Sequence, residues 1–480
     1  MALNTARRRA WIGIALLLGI VAFAAGAWGL QRWAPFQHDA SAVTWPENVQ
    51  PIAEYVQQTT RSTFQSPLTI EFIGPEAQYA ERVASPDLPT SDEMVASAKV
   101  DDAVGRALGL WAGQSSVLQN ETVINDLEPN PVTYLPDEHA IVVNAISDTS
   151  RLPALVRAEL ALVLTQALDD QLYHTVQRAQ TAATSQDFQV MVGLSIGHAF
   201  LVRDLFVADM NSSDRQAYEH ALLRRYDDYR DSISVVPTTY VSMRTMAQQV
   251  GPVFLAALQE DDPRLVQAAF STDTPAALDQ MILPASKYLR RDPLEAVSAP
   301  PAPLGAKVQY SNQLGPFGLY LMLSTGLPSN EALTASDGWG NDRYTVYLLA
   351  GRACLDLHVV ADSRDDADLL ERGLNGWAGA RPPSSDALVG RDGVNLYATV
   401  CDPGTTARQQ VPGELVISEF TGRSSMMYEY ITRTGKPDRA ECIAVQFHTQ
   451  FTQRDLETYD PDLDPYGELE SIEEDCRDST

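Results

Sequence analysis

Hydrophobic and polar positions divide the chain into a long uncharged run, several short strand-like segments and a largely helical middle. Residues 68–74 (LTIEFIG) alternate between apolar and polar positions, and residues 140–146 (AIVVNAI) are mostly apolar, so each segment predicts a β-strand. Residues 152–230 are helical in pattern almost throughout, and the helix predicted at 154–173 follows the second strand directly. We therefore expect an α+β protein whose first domain is mainly helical with a small sheet.

The first 33 residues predict a cytoplasmic basic segment and a membrane anchor. Three arginines at positions 7–9 precede residues 11–30, which carry no charge. A helix of about 20 residues spans the ~30 Å core of a bilayer. Because Lys and Arg remain on the cytoplasmic side, we expect a single-pass protein of the cell membrane whose bulk lies outside the cytoplasm. The alternative is a signal peptide cleaved near residues 25–27, which would give a secreted protein.

The Pro- and Ala-rich stretch 293–306 is the clearest domain boundary after the linker predicted at 34–66. It separates a domain at 67–295 from one at 307–452. The second domain is predicted to contain a strand, a strand, a helix and a strand at 344–350, 354–361, 365–378 and 394–401. This β-β-α-β order predicts an α+β layer. Residues 413–451 are expected to add strands such as CIAVQFHTQF, and residues 453–480 to form an acidic tail that does not pack.

Composition and charge exclude one class of partner. The chain has 480 residues, of which 45% are hydrophobic, so it can bury a sizeable core. Its net charge of −28 argues against nucleic acid, because a nucleic-acid-binding protein presents a basic surface. The acidity identifies no ligand.

The four cysteines lie in the last third of the chain, and none is in C-x-x-C spacing, which argues against a cysteine zinc site. Cys354 and Cys401 both fall in apolar strand-like runs and could form a disulfide across a sheet, which is permitted outside the cytoplasm. For Cys442 and Cys476, a second disulfide and two free thiols are equally open.

Seven short segments occur in order along the chain. They are TYLPDEHAIVVN (133–144), ALDDQLY (167–173), LSIGHAF (194–200), QQVGPVF (248–254), MILPASKYL (281–289), GWGNDRY (338–344) and CDPG (401–404). Together they resemble a family of secreted bacterial zinc metallopeptidases with a gluzincin-like core, over residues 103–404. The resemblance implies a zincin-like fold for the domain at 67–295, with an active-site helix at 154–173.

That helix lacks the residues that bind zinc. A catalytic zinc helix needs H-E-x-x-H, because residues four apart share one face and two imidazoles can hold the ion beside a basic Glu. Here the histidine positions hold Ala158 and Leu162 in one register, or Leu162 and Gln166 in the other. The third ligand of the family, a Glu, is replaced by Ile196. The resemblance therefore implies the fold and argues against the activity, and we expect no catalytic residue, no metal and no other cofactor.

Three uses of such a chain remain open. The first is a catalytically inactive, membrane-tethered pseudo-metallopeptidase that binds a peptide or an envelope protein. The alternative is a metallopeptidase with a relocated site built from His174, His198 and Glu159 with nearby carboxylates. The third is an inert structural module with no open cleft. The plainer expectation for these residues is two hydrogen-bonded or exposed histidines and an ion-paired Glu159, and Asp342 is expected to form an ion pair or a cap.

Overall fold

The computed structural model describes residues 44–74, 76–83, 92–125, 127, 130–145, 152–457 and 463–478. The predicted anchor at 11–30 lies outside this part of the chain. The chain forms two compact units. Among the described residues, unit 1 comprises those within 44–83, 122–182 and 191–235, and unit 2 comprises those within 92–121, 183–190 and 236–478. These limits differ from the predicted domain limits, because the sequence between 236 and 295 belongs with the C-terminal unit.

The helices in chain order are α1 (Gln50–Thr60), α2 (Glu76–Val83), α3 (Asp92–Leu108), α4 (Val117–Asn125), α5 (Ala154–Tyr173), α6 (Thr175–Gln180), α7 (Ser185–Ala208), α8 (Ser212–Ser232), α9 (Thr238–Asp261), α10 (Pro263–Ser271), α11 (Asp279–Ile282), α12 (Gly315–Leu323), α13 (Ser329–Asp337), α14 (Arg364–Ala380), α15 (Glu414–Thr434), α16 (Pro437–Gln450), α17 (Gln453–Glu457) and α18 (Pro465–Asp475). The strands are β1 (Thr69–Phe72), β2 (Val132–Leu135), β3 (Ala140–Val143), β4 (Lys307–Asn312), β5 (Trp339–Leu349), β6 (Arg352–Ala361), β7 (Leu388–Asp392) and β8 (Asn395–Cys401). A π-helical turn covers Pro284–Leu289.

Unit 1 is built on a three-stranded sheet in the order β1-β3-β2. β1 runs parallel to the central strand β3, with Ile70 opposite Ile141, and β2 runs antiparallel to it. Every residue of β3 is buried. The continuous apolar run AIVV is what a strand with neighbours on both sides requires.

Helix α5 forms the interior of unit 1. Fourteen of its residues are buried, and they lie on all sides of the helix. A helix that is apolar all round is a core helix, because it has no face to present to water. It ends at His174, whose left-handed backbone (φ 55°) stops the helix and lets its N–H donate to the carbonyl of Asp170.

Unit 2 contains a five-stranded antiparallel sheet in the order β4-β5-β6-β8-β7. Ala350 and Gly351 join β5 to β6, and both have positive φ (52° and 82°), as a two-residue hairpin turn with the right twist requires. Helix α14 buries Leu370, Leu374 and Trp377. The predicted order of strand, strand, helix and strand is observed as β5, β6, α14 and β8, with β7 inserted before β8. The α+β class is confirmed.

The prediction of strands within 413–451 is wrong, because this stretch forms the helices α15 and α16. In α16 the buried positions include Ile443, Ala444, Phe447 and His448, which recur at the helical spacing of three and four. A short apolar run does not by itself distinguish a buried strand from a helix. Pro437 occupies the first turn, where its missing N–H has no partner to lose.

The two segments expected to lie outside the folded domains contain structure. In the predicted linker, α1 buries Ile52, Ala53 and Val56. In the acidic tail, α18 begins where the side chain of Asp464 accepts from the N–H of Gly467. Ile472 is buried, and a disulfide joins Cys476 to Cys442. The described part of the tail therefore packs, contrary to the expectation.

Among the described residues, one helix is long and apolar enough to cross a membrane, namely α7. Most of its apolar stretch is buried inside the protein. The core helix of a soluble domain has the same length and composition, so α7 gives little support for a membrane span.

Candidate functional site

The positions that correspond to zinc ligands lie in the packed interior of unit 1. Ala158, Leu162 and Gln166 on α5 are buried, and so is Ile196 on α7. Ala158 belongs to an apolar cluster. The other buried members of this cluster are Ala154, Met210, Tyr218 and Leu222. Side chains of α8 therefore fill the space beside Ala158, where a metal and its substrate would have to sit.

Glu159 is sealed inside the same unit. It is 2% exposed, and its Oε1 has no hydrogen-bond partner. Burial raises the pKa of this carboxyl, while the positive charges of Arg203 and Arg225 act in the opposite direction. A general base must reach a water molecule or a substrate proton by hydrogen bonding. A buried carboxyl whose charge is compensated by arginines is better explained as part of an internal charge cluster than as a general base.

Arg203 is the first of the two arginines whose charges act on Glu159. It is 1% exposed, its guanidinium lies 4.4 Å above the ring of Phe200, and its Nη2 donates to Asp204 at 2.8 Å. Its Nη1 has no hydrogen-bond partner. Glu159 and Arg203 therefore attract each other through the protein interior without a direct hydrogen bond, and charge attraction across a buried site is weakly screened. Among the described residues Glu159 forms no direct ion pair, so the expected ion pair is not observed.

His198 on α7 and Asp169 on α5 form a polar contact between the two helices. His198 Nδ1 lies 2.9 Å from Oδ2 of Asp169, which is buried. The neighbouring Asp170 points elsewhere, since its Oδ2 accepts from the hydroxyl of Tyr134 and its Oδ1 from the N–H of Val176. Adjacent helical carboxylates thus face different partners, and they form no catalytic pair.

The structure does not gather the residues proposed for a relocated metal site. His174 is exposed at the junction of α5 and α6. Glu159 and Asp169 are ten residues apart on one helix, or about 15 Å along its axis. Within the described ranges, no group of three or more His, Cys, Asp and Glu side chains could hold a metal ion. The structure thus pairs His198 with the carboxylate of Asp169.

Asp342, in the GWGNDRY segment of unit 2, is a capping residue. Its carboxylate accepts from the N–H groups of Leu314 and Gly315 at 2.7 Å and from Nε1 of Trp339 at 2.9 Å. The buried carboxylate thereby caps the start of α12. A cap was one of the two roles expected for Asp342, the other being an ion pair. The bond to Trp339 ties the start of β5 to the same point.

The structure joins Cys354 to Cys401, which lie directly opposite each other on β6 and β8. Sequence reasoning did not single out the charged residues near this disulfide, namely Arg106, Arg352, Asp386 and Asp402. They are scattered along the chain, and the only local signal was the CDPG segment at 401–404.

Comparison with known proteins finds a match for one segment of the chain. Residues 304–406 match the model of a domain of unknown function (DUF8575). This match covers strands β4 to β8 and helices α12 to α14 of unit 2. No curated protein and no solved structure matches the chain.

Proposed function

We propose that this chain is a catalytically silent relative of zincin-like metallopeptidases and acts by binding in the cell envelope. Residues 11–30 would hold it in the membrane, with both units outside the cytoplasm. Its role would then be to bind a peptide or another envelope protein, or to hold such proteins together.

The arrangement of unit 1 supports the zincin-like part of the proposal. A buried strand, β3, precedes the core helix α5, and α5 contacts α7 through Asp169 and His198. In the metallopeptidase family that the sequence resembles, these two helices would carry the paired histidines and the third ligand.

The observation that carries the proposal is the burial of Ala158, Leu162, Gln166 and Ile196 in a packed interior. Zinc requires imidazole, thiolate or carboxylate ligands, and three hydrocarbon side chains and an amide do not supply them. A catalytic zinc also keeps one coordination position open to water or substrate. The side chains that pack beside Ala158 argue against such an opening, and equally against a peptide bound at this place.

The test measures metal content and proteolysis on the purified full chain. We expect far less than one zinc per chain by mass spectrometry after dialysis against zinc. We also expect no cleavage of casein that 1,10-phenanthroline abolishes. The matched variant is Glu159→Gln, which should leave both readings at background.

One zinc per chain, together with chelator-sensitive cleavage that is lost in Glu159→Gln, would contradict the proposal. Zinc binding that is lost in His198→Ala would instead revive the relocated metal site.

A further inference from the structure

An open pocket of about 720 Å³ lies entirely within unit 2. Lys99 and Arg106 on α3 line one side, and Arg352, Asp386 and Asp402 line the other. A volume of this size is typical of sites that take a small organic ligand or a few residues of peptide. Nine of the thirteen lining residues fall inside the segment that matches DUF8575.

The two arginines of the pocket are held in different ways. Arg106 donates to both carboxylate oxygens of Asp402, at 2.9 and 2.8 Å, and the two side chains are only 8% and 15% exposed. Arg352 donates to Asp386 at 2.6 Å, but these side chains are 35% and 67% exposed. An exposed ion pair contributes little to stability. The carboxylate of Asp386 is therefore exchangeable, while that of Asp402 is fixed.

Lys99 leaves the pocket with an excess positive charge. Its side chain is exposed, and it has no ion-pair partner in the part of the chain that the structure describes. The two arginines are matched by the two aspartates, so Lys99 gives the side chains that line the pocket a net charge of about +1, and the carboxyl of Asp102, outside this lining, acts on Arg106. The whole chain carries −28, so a basic pocket stands out from its surroundings.

Two glycines and a disulfide shape the wall of the pocket. Gly351 and Gly404 have φ of 82° and 89°, and a Cβ on either would project into open space. The N–H of Asp402 donates to the carbonyl of Ala353 at 2.8 Å, directly beside the disulfide between Cys354 and Cys401. This cross-link fixes the strand end that carries Asp402.

We propose that this pocket binds the carboxylate of an otherwise uncharged ligand. The ligand carboxylate displaces Asp386 from Arg352 and pairs with Lys99, while its apolar body lies against Val100, Leu348 and Pro403. A carboxylate fits better than a phosphate, because Arg352 already holds a carboxylate and the excess charge is single. The free C-terminus of a peptide and a small aliphatic acid share this chemistry.

This inference deepens the proposed binding role and can fail separately from it. Metal content and proteolysis test unit 1, whereas the binding experiment below probes only unit 2. Loss of the pocket's ligand would leave the silent metal site unaffected, and an active metal site would leave the pocket's chemistry unaffected.

The experiment is calorimetric titration of the full chain with acetyl-Ala-Ala-Leu that ends in a free carboxylate. The same peptide with a C-terminal amide, valerate and inorganic phosphate are the comparison ligands. We expect the free-carboxylate peptide to bind about tenfold more tightly than the amide and than phosphate. Valerate as tight as the peptide would identify a small acid as the ligand type, and weaker valerate would identify a peptide terminus.

Variants separate exchange at Arg352 from a general charge effect. Lys99→Gln should weaken binding about fivefold, and Asp386→Asn should strengthen it about threefold because the internal competitor is removed. Asp368→Asn removes the same charge from an exposed residue outside the pocket and should leave the Kd unchanged. Melting temperatures of all three variants establish that they are folded.

Equal affinity for the peptide acid and its amide would overturn the proposal. So would binding of phosphate as tight as that of the acid, or an equal effect of Asp386→Asn and Asp368→Asn. The absence of any heat of binding from the folded chain at about 10 mM peptide would also overturn it. Such a result would mean a Kd above about 10 mM, which is too weak for a specific site.

Discussion

Oδ2 of Asp169 lies 2.9 Å from Nδ1 of His198, and the contact joins two helices in the interior of unit 1. Burial lowers the pKa of His198, but the attraction of Asp169 outweighs it, so the pKa is raised above the usual 6.5. The folded chain therefore holds the imidazole proton more tightly than the unfolded chain. The resulting stabilisation is complete below pH 6.5 and is lost as the pH rises through the folded pKa.

His198→Ala should destabilise the protein most at mildly acidic pH. Removing one partner of a buried pair leaves the other charge uncompensated, so we expect a loss of about 3 kcal/mol at about pH 5.5. The difference from the wild type should shrink above neutral pH. Urea denaturation at a series of pH values measures it, with His220→Ala on the exposed side of α8 as the control. A difference that is constant with pH would show that the imidazole is not charged in the folded state.

Glu159 and Arg203 should be energetically coupled although they share no hydrogen bond. Arg203→Met keeps the length of the side chain and removes its charge, which leaves the buried carboxyl of Glu159 with less compensation. We expect it to destabilise the fold by about 3 kcal/mol. Arg203→Met made in the Glu159→Gln background should reduce the free energy of unfolding by about 1 kcal/mol less than it does in the wild type. The double-mutant cycle is read from denaturant midpoints, and strict additivity would mean that the two charges do not interact.

Hydrophobic and polar patterns over short stretches of sequence predicted individual helices and strands, but not the contacts between distant side chains. Helix α5 could be predicted because residues 152–230 are helical in pattern, and it is buried because it has no polar face to present to water. The disulfide partners Cys354 and Cys401 could be suggested because both sit in strand-like runs. Glu159 could be singled out as a carboxyl in apolar surroundings, but Arg203 and Arg225, whose charges act on it, lie 44 and 66 residues further along the chain. Such pairing depends on how helices pack, which no local pattern contains.

The failures have equally local causes. Residues 442–451 fit both a strand and a helix period, and only packing against neighbouring helices decided for the helix. The acidity of residues 453–480 predicts a tail that does not pack, but acidic residues describe only the solvated face of α18. The signals for packing were single residues, Ile472 and Cys476, and the start signal at Asp464. The charge composition of a segment does not reveal that a helix such as α18 packs through a buried apolar residue and a disulfide.

Asp279 should make the stability of unit 2 fall as the pH rises. Burial raises the pKa of this carboxyl to about 7, against the opposing charge of Lys287, and its Oδ1 has no hydrogen-bond partner. The folded chain therefore binds a proton that the unfolded chain has released above pH 3.8. Stability contributed by the protonated form is present below pH 3.8 and is lost progressively up to about pH 7.

Asp279→Asn should remove this part of the pH dependence. The amide cannot ionise, so the variant should gain on the wild type by up to about 1.4 kcal/mol for each pH unit between about 4 and 7. Free energies of unfolding across this range measure the gain, and the exposed Asp261→Asn is the control. Parallel curves for the wild type and Asp279→Asn would show that the carboxyl titrates normally.

The bond between Cys442 and Cys476 should hold the tail helix α18 on unit 2. It closes a loop of 34 residues, and on the chain-entropy model such a cross-link contributes about 4 kcal/mol. The buried Ile472 adds apolar contact on the same side, so a chain without the bond should still fold but should release α18 more often. The double variant Cys442→Ser/Cys476→Ser should therefore lose several degrees in Tm.

Because Arg477 lies in the segment that the bond holds, trypsin should also cleave there faster in the double variant. Dithiothreitol should raise the rate of cleavage at Arg477 in the wild type toward that of the variant. Because it also reduces the bond between Cys354 and Cys401, the values of Tm are compared without a reductant. An unchanged rate of cleavage at Arg477 in the double variant would mean that packing of α18 alone, without the disulfide, keeps the tail in place.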